Sequence, residues 1–265
     1  KKTVMGENEN QTGEAASQTN IDLPGNQKEL LKELKKLGKP IVLVLMAGRP
    51  LTMTWENDNM DAILYTWYPG TMGGLAITDV LYGKYNPSAK TPMTFPRSVG
   101  QIPIHYNQKN TGRPYLGAED AEQKYKSRYT DSPNSPLYPF GYGLSYTTFG
   151  YSNLKLNKST MKNGKDEIKV SVDVKNTGNY DGEEVAQLYV RDLVGSVTRP
   201  VRELKGFDKV MIKKGETKTL TFTLTPEDLK FHDINMKYVA EAGDFDVFVG
   251  GNSNATLKTS FTLVD

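Results

Sequence analysis

The hydrophobic pattern of this chain changes its period once, near Tyr138-Pro-Phe-Gly-Tyr-Gly-Leu-Ser-Tyr-Thr-Thr-Phe149, and that change demands two differently built halves. Upstream, Ile41-Val-Leu-Val-Leu-Met46 is an unbroken apolar run, as expected of a strand covered on both faces. Downstream, Ile168, Val170, Val172 and Val174 alternate with Lys169, Ser171, Asp173 and Lys175, as expected of a strand with one buried face. The same alternation runs through Ala186–Val190, Leu220–Leu224, Phe245–Val249 and Leu257–Leu263. Turn signals at Asn176-Thr-Gly, Lys213-Lys-Gly and Glu241-Ala-Gly separate these runs, which predicts an all-β antiparallel sandwich.

The upstream half reads as strand and helix in turn. Leu30, Leu31, Leu34 and Leu37 follow helical spacing, Asn26 and Glu29 offer a capping arrangement, and Gly38 a stop. A second strand is expected over Asp61–Trp67, with residues 47–60 long enough for a crossover helix. Met72, Ala76, Ile77, Val80 and Leu81 mark another amphipathic helix, which completes an α/β pattern with a mostly parallel sheet. Residues 5–25 read as a polar loop, and nothing in 1–25 reads as an element able to start that sheet. From about 86 to 148 the pattern dissolves into Pro, Tyr, Gly and Asn, too aromatic for disorder, and predicts an extended, ordered segment. The expected division is an α/β part over 1–98, an extended segment over 99–145 and a β-sandwich over 146–265.

Charge and composition exclude several functions. Lys+Arg 33 against Asp+Glu 31, with no dense basic run, argues against nucleic acid or an anionic membrane as partner. There is no cysteine, so disulfides and thiolate metal sites are excluded. His105 and His232 stand far apart without a ligand partner at metal spacing, and no metal or cofactor is expected. No run approaches the roughly 18 apolar residues of a membrane span, and Lys1–Gly6 shows no signal-peptide core.

Several motifs, in order, carry a resemblance: Lys39-Pro-Ile-Val-Leu-Val-Leu, Trp67-Tyr-Pro-Gly, Asn86-Pro-Ser-Ala-Lys-Thr-Pro-Met-Thr-Phe-Pro96, the Tyr138–Phe149 stretch and Arg199-Pro-Val-Arg-Glu-Leu-Lys-Gly-Phe207. Together they cover nearly the whole chain. The chain resembles the C-terminal part of family 3 glycoside hydrolases of the β-glucosidase type, which pass from an α/β sandwich domain into a fibronectin type III-like domain. The resemblance implies a preceding (β/α)8 barrel with the nucleophilic Asp. A barrel takes about 250 residues by itself, and the β-rich tail already claims the second half of these 265, so a full barrel is excluded. It also implies a carbohydrate substrate, no cofactor, and a periplasmic or secreted location.

Retaining glycosidases need two carboxyl groups, one as nucleophile and one as acid/base. The family's acid/base Glu lies on a loop of the α/β domain, in a pattern like Gly-Glu-x-x-x-Arg. Thr12-Gly-Glu-Ala-Ala-Ser-Gln18 occupies that place, so the resemblance makes Glu14 the acid/base, although Gln18 stands where related sequences carry Arg. Glu7 and Glu9 compete within the same loop, whereas Asp22 reads as a turn residue beside Pro24. Gly70-x-x-Gly-Gly74 lacks the Lys of a P-loop and reads as tight strand–helix packing. The aromatic residues around Trp67 and along 106–142 read as packing between domains rather than as sugar platforms. The expected function is the C-terminal part of a retaining exo-β-glucosidase. The rival expectation is a non-catalytic carbohydrate-binding or scaffolding protein with the same domains.

Overall fold

The computed structural model describes residues 1–115, 117 and 123–265; Leu116 and residues 118–122 of the expected extended segment lie outside the described residues. The chain divides into two compact units. One comprises 1–85, 93–104 and 131–138, the other 86–92, 105–130 and 139–265.

The first unit is α/β. β1 (Lys2–Gly6), β2 (Val42–Met46) and β3 (Ala62–Tyr65) form a parallel sheet in the order β1-β2-β3. α1 (Gln27–Lys35), α2 (Thr54–Asn59) and α3 (Gly73–Leu81) make up the helical part. The apolar run places Leu43, Val44 and Leu45 fully inside, because β2 is the central strand. β1 corrects the expectation that residues 1–25 hold no element able to start a sheet. Its signal is too short to read: Met5 is buried while Val4 is 63% exposed, and only those two residues are apolar. Gly6 ends the strand at φ +143, where a Cβ would stand 1.8 Å from the carbonyl oxygen of Met46, so only glycine fits.

The helix starts also differ from expectation. Asn26 makes no side-chain cap on α1. Instead the Gln27 amide bonds Gly6 twice, accepting from its N–H at 2.8 Å and donating to its C=O at 2.8 Å. Of the helical leucines, Leu31 is buried, whereas Leu30 and Leu37 are 51% and 53% exposed. Helical spacing therefore located α1, but one leucine of the four anchors it fully, worth about 1.5–3 kcal/mol of burial.

The second unit is a β-sandwich. Its strands are β4 (Phe149–Leu156), β5 (Thr160–Lys162), β6 (Ile168–Asn176), β7 (Gly182–Asp192), β8 (Glu203–Ile212) and β9 (Thr217–Leu224), followed after α4 (Pro226–Leu229) by β10 (Phe231–His232), β11 (Tyr238–Val239), β12 (Gly243–Gly250) and β13 (Leu257–Val264). One sheet has the order β5-β13-β12-β7-β8 and the other β4-β6-β9, with β10 and β11 as a separate hairpin. The alternating residues face one core: Val170, Val172 and Val174 of β6, Leu220 and Leu224 of β9, and Phe245, Val247 and Val249 of β12.

β7 breaks the alternation because its outer face is also covered. Tyr106 stacks on Phe140 at 4.4 Å and meets Tyr189 edge-on at 5.8 Å. Gln187 donates to the carbonyls of Gly141 and Gly251. The Asn86–Lys90 motif binds the same unit: Asn86 donates to the carbonyl of Asp181, Ser88 to Glu183, and Lys90 pairs with Glu184. At the Asn176-Thr-Gly turn, the buried Asn176 amide donates to the carbonyls of Tyr180 and Ile212 and accepts from Thr147 and Gly178. A buried amide with all these bonds made fixes the turn without a desolvation penalty.

Candidate active site

The three parallel strands of the first unit end at one edge, and the loops that leave them enclose an open hollow of about 730 Å³. Glu9, Thr12, Gly13, Ala15, Ala16 and Ser17 come from the loop after β1, Gly48 and Arg49 from the end of β2, and Tyr68 from the end of β3. Ligands of open α/β sheets gather at the carboxyl ends of the strands, where loops are free to vary while the sheet stays rigid.

Glu14 lies within a tight turn on this loop. The Ala16 N–H donates to the carbonyl of Gly13 at 3.2 Å, with Gly13 at φ +127 and Ala15 at φ +59. Ala15 therefore holds a left-handed conformation that a residue with a Cβ adopts reluctantly. Glu14 is exposed; its neighbours Gly13 and Ala15 line the hollow, whereas Glu14 itself is not among the lining residues.

The other candidates fall apart from it. Glu7 is withdrawn from solvent, 3% exposed, with Oε1 2.8 Å from Nε of Arg49 and Oε2 accepting from the Gly48 N–H. Glu9 is exposed and lines the hollow. Asp22 accepts from the Thr52 hydroxyl, and its own N–H donates to Oδ1 of Asn20. Gly73 packs against the Pro69 ring, where a Cβ would approach Cγ to 2.5 Å. His105 and His232 are both exposed, and among the described residues no group of three or more His, Cys, Asp or Glu side chains could hold a metal ion.

Several of the aromatic residues singled out in the sequence pair with one another inside a unit. Tyr65, Trp67, Phe95 and Tyr138 form edge-to-face pairs at 4.9–5.9 Å in the first unit, leaving Tyr68 half exposed at the hollow. Burial pushes the Tyr65 phenol well above its ordinary range, so it stays a donor, to the Arg49 carbonyl. Sequence reasoning passed over Arg49 and singled out no role for Tyr68. Their signal was position alone: each lies in the loop just past the carboxyl end of a strand of the parallel sheet.

Residues 3–146 match the model of the glycosyl hydrolase family 3 C-terminal domain, and residues 184–253 match that of a fibronectin type III-like domain. A periplasmic β-glucosidase of Salmonella typhimurium is 52% identical, over 98% of this chain and 34% of its own length. A β-xylosidase of Formosa agariphila is 43% identical, over 97% of this chain and 34% of its own. The crystal structure of a β-glucosidase from Listeria innocua in complex with glucose superposes with a TM-score of 0.95 at 40% identity, over 100% of this chain and 36% of that one. The chain thus spans about a third of the length of these relatives.

Proposed function

Because the chain belongs to glycosyl hydrolase family 3, we propose that it is the C-terminal part of a retaining, exo-acting β-glucosidase in which Glu14 is the general acid/base. The observation that carries this reading is the placement of Glu14: an exposed carboxyl on a tight turn, at the carboxyl edge of a parallel sheet, beside an open hollow. Glu7 is unsuited to the role, since its carboxylate is buried against Arg49. The nucleophilic Asp belongs to a barrel domain outside these residues.

The reaction proceeds by double displacement. The nucleophile attacks the anomeric carbon of a terminal β-glucosyl residue while Glu14 protonates the departing oxygen. Glu14, now a carboxylate, then removes a proton from the water that releases the sugar with retained configuration. The glucoside reading rests on the 52% identity to a β-glucosidase, which exceeds the 43% to a β-xylosidase. The same relative favours a periplasmic location.

The test is made in the full-length polypeptide. Glu14→Ala should slow hydrolysis of alkyl β-glucosides by about 10²–10⁴-fold, and dinitrophenyl β-glucoside far less, because that leaving group needs little protonation. Azide should restore turnover and give the β-glucosyl azide. Equal losses on both substrates without azide rescue would remove Glu14 from the role. The 265-residue chain alone should not turn over either substrate.

A further inference from the structure

The loop that carries Glu14 has little of its own to hold it. None of residues 8–20 is buried, and the loop's own bonds are local, such as the Gln11 N–H to the carbonyl of Asn8 and the Ala16 N–H to that of Gly13. Among the described residues, the hydrogen bonds that join residues 8–17 to another element all come from one side chain. Nη2 of Arg49 donates to the carbonyl of Gln11 at 2.6 Å and to that of Ala16 at 2.9 Å, the two ends of the segment bearing the Glu14 turn. Its Nε lies 2.8 Å from Oε1 of Glu7 as an ion pair, with the N–H directed off the line of a hydrogen bond. Arg49 is itself fixed at the end of the central strand, where the buried Tyr65 hydroxyl donates to its carbonyl.

We infer that Arg49, braced by Glu7, is a positioning residue that locks the acid/base turn in place, an inference that rests on the proposed role of Glu14. The guanidinium suits the task because its rigid plane sets Nε beside a carboxylate while Nη2 reaches two carbonyls. A lysine head group has one nitrogen and cannot span the same three oxygens in one geometry. Glu7 lowers the cost of keeping this cation half-buried, which explains why an acidic residue of the loop is spent away from the hollow.

Two measurements decide the matter. In the 265-residue chain, Arg49→Gln should speed amide exchange of Gln11 and Ala16 by about tenfold or more, the loss of charge-assisted hydrogen bonds, while Leu43, Val44 and Leu45 stay protected. Arg49→Lys should fall between, and it replaces Arg49→Gln if the latter unfolds β2. In the full-length enzyme, Arg49→Gln should lower kcat on alkyl β-glucosides about tenfold more than on dinitrophenyl β-glucoside, with KM little changed, because a misplaced acid matters only where protonation matters. Arg49→Lys should recover part of that difference. Unchanged exchange at Gln11 and Ala16 would overturn the inference. So would faster exchange with equal losses on the two substrates, which would make Arg49 merely structural, or a raised KM with kcat intact, which would make it a substrate ligand. If Glu14→Ala fails azide rescue, the acid/base reading falls separately, and the exchange result still decides whether Arg49 holds the loop.

Discussion

Removing the Lys90 ammonium should destabilise the β-sandwich unit and leave the α/β unit untouched. Lys90 and Glu184 form an ion pair at 3.0 Å with side chains 13% and 5% exposed. The Lys90 Nζ also donates to the carbonyl of Gly143 at 3.2 Å, and the Tyr151 hydroxyl donates to the other Glu184 oxygen at 2.7 Å. Burial and the Glu184 charge both push the Tyr151 phenol upward, so it remains protonated as a donor. Lys90→Met keeps most of the stem's volume but leaves a buried carboxylate with Tyr151 as its single remaining partner in this network. Breaking a buried pair on one side costs about 3–5 kcal/mol, and the surviving Tyr151 bond sets the expectation at the low end, about 3 kcal/mol. Lys90→Met/Glu184→Gln removes the orphaned charge and should regain about 2 kcal/mol of that loss. Trp55 and Trp67 both lie in the α/β unit, so tryptophan fluorescence reports on that unit, while far-UV circular dichroism is dominated by the sandwich. With a urea m-value of about 2 kcal/mol/M, the dichroism midpoint of Lys90→Met should fall by about 1.5 M with the fluorescence midpoint unmoved. A loss below about 1 kcal/mol, or a double variant as unstable as the single, would refute the argument that an uncompensated buried charge sets the cost.

Gly6→Ala should detach β1 from the sheet, since the added Cβ meets the Met46 carbonyl; proteolysis should then cut within residues 1–20, and an undiminished melting temperature would contradict this. Glu56 is 1% exposed, and among the described residues neither carboxylate oxygen accepts a hydrogen bond from another residue, with Lys28 Nζ at 4.0 Å. Burial raises its pKa above the ordinary carboxylate value, so its contribution to stability is fully present below the ordinary carboxylate range and is lost as pH rises through the folded value. Glu56→Gln should therefore be more stable than the parent at pH 7 and lose that advantage near pH 4; denaturant titrations at the two pH values check it, and a constant difference would count against the buried charge.

Much of this architecture is legible in the residues. The unbroken Ile41–Met46 run announces a central parallel strand, because a strand covered on both faces needs no polar positions. The period-two runs place β6, β9, β12 and β13, because one face of each meets the core. β1 and β8 escaped notice for one reason in two forms: β1 is an edge strand with a single buried residue, and only Ile212 is buried on β8. Where few side chains are buried, no hydrophobic period exists to be read. α1 shows the opposite failure, a clear pattern in which Leu31 and Leu34 reach the core while Leu30 and Leu37 stay exposed.

By itself the sequence determined the two architectures and their order, and its family resemblance pointed to the loop of the proposed acid/base carboxyl. Tertiary structure decided how the acidic residues of that loop differ. Glu7, Glu9 and Glu14 are neighbours in sequence, and although the Gly-Glu pattern singles out Glu14, nothing local shows that the Glu7 side chain is withdrawn from solvent. Glu7 is buried because Arg49, arriving at the end of β2 from 42 residues away, meets it there, while the same guanidinium reaches carbonyls 38 and 33 residues distant and leaves Glu14 exposed on the turn. Which carboxylate is neutralised and which stays free is a long-range electrostatic outcome, set by where the parallel strands end.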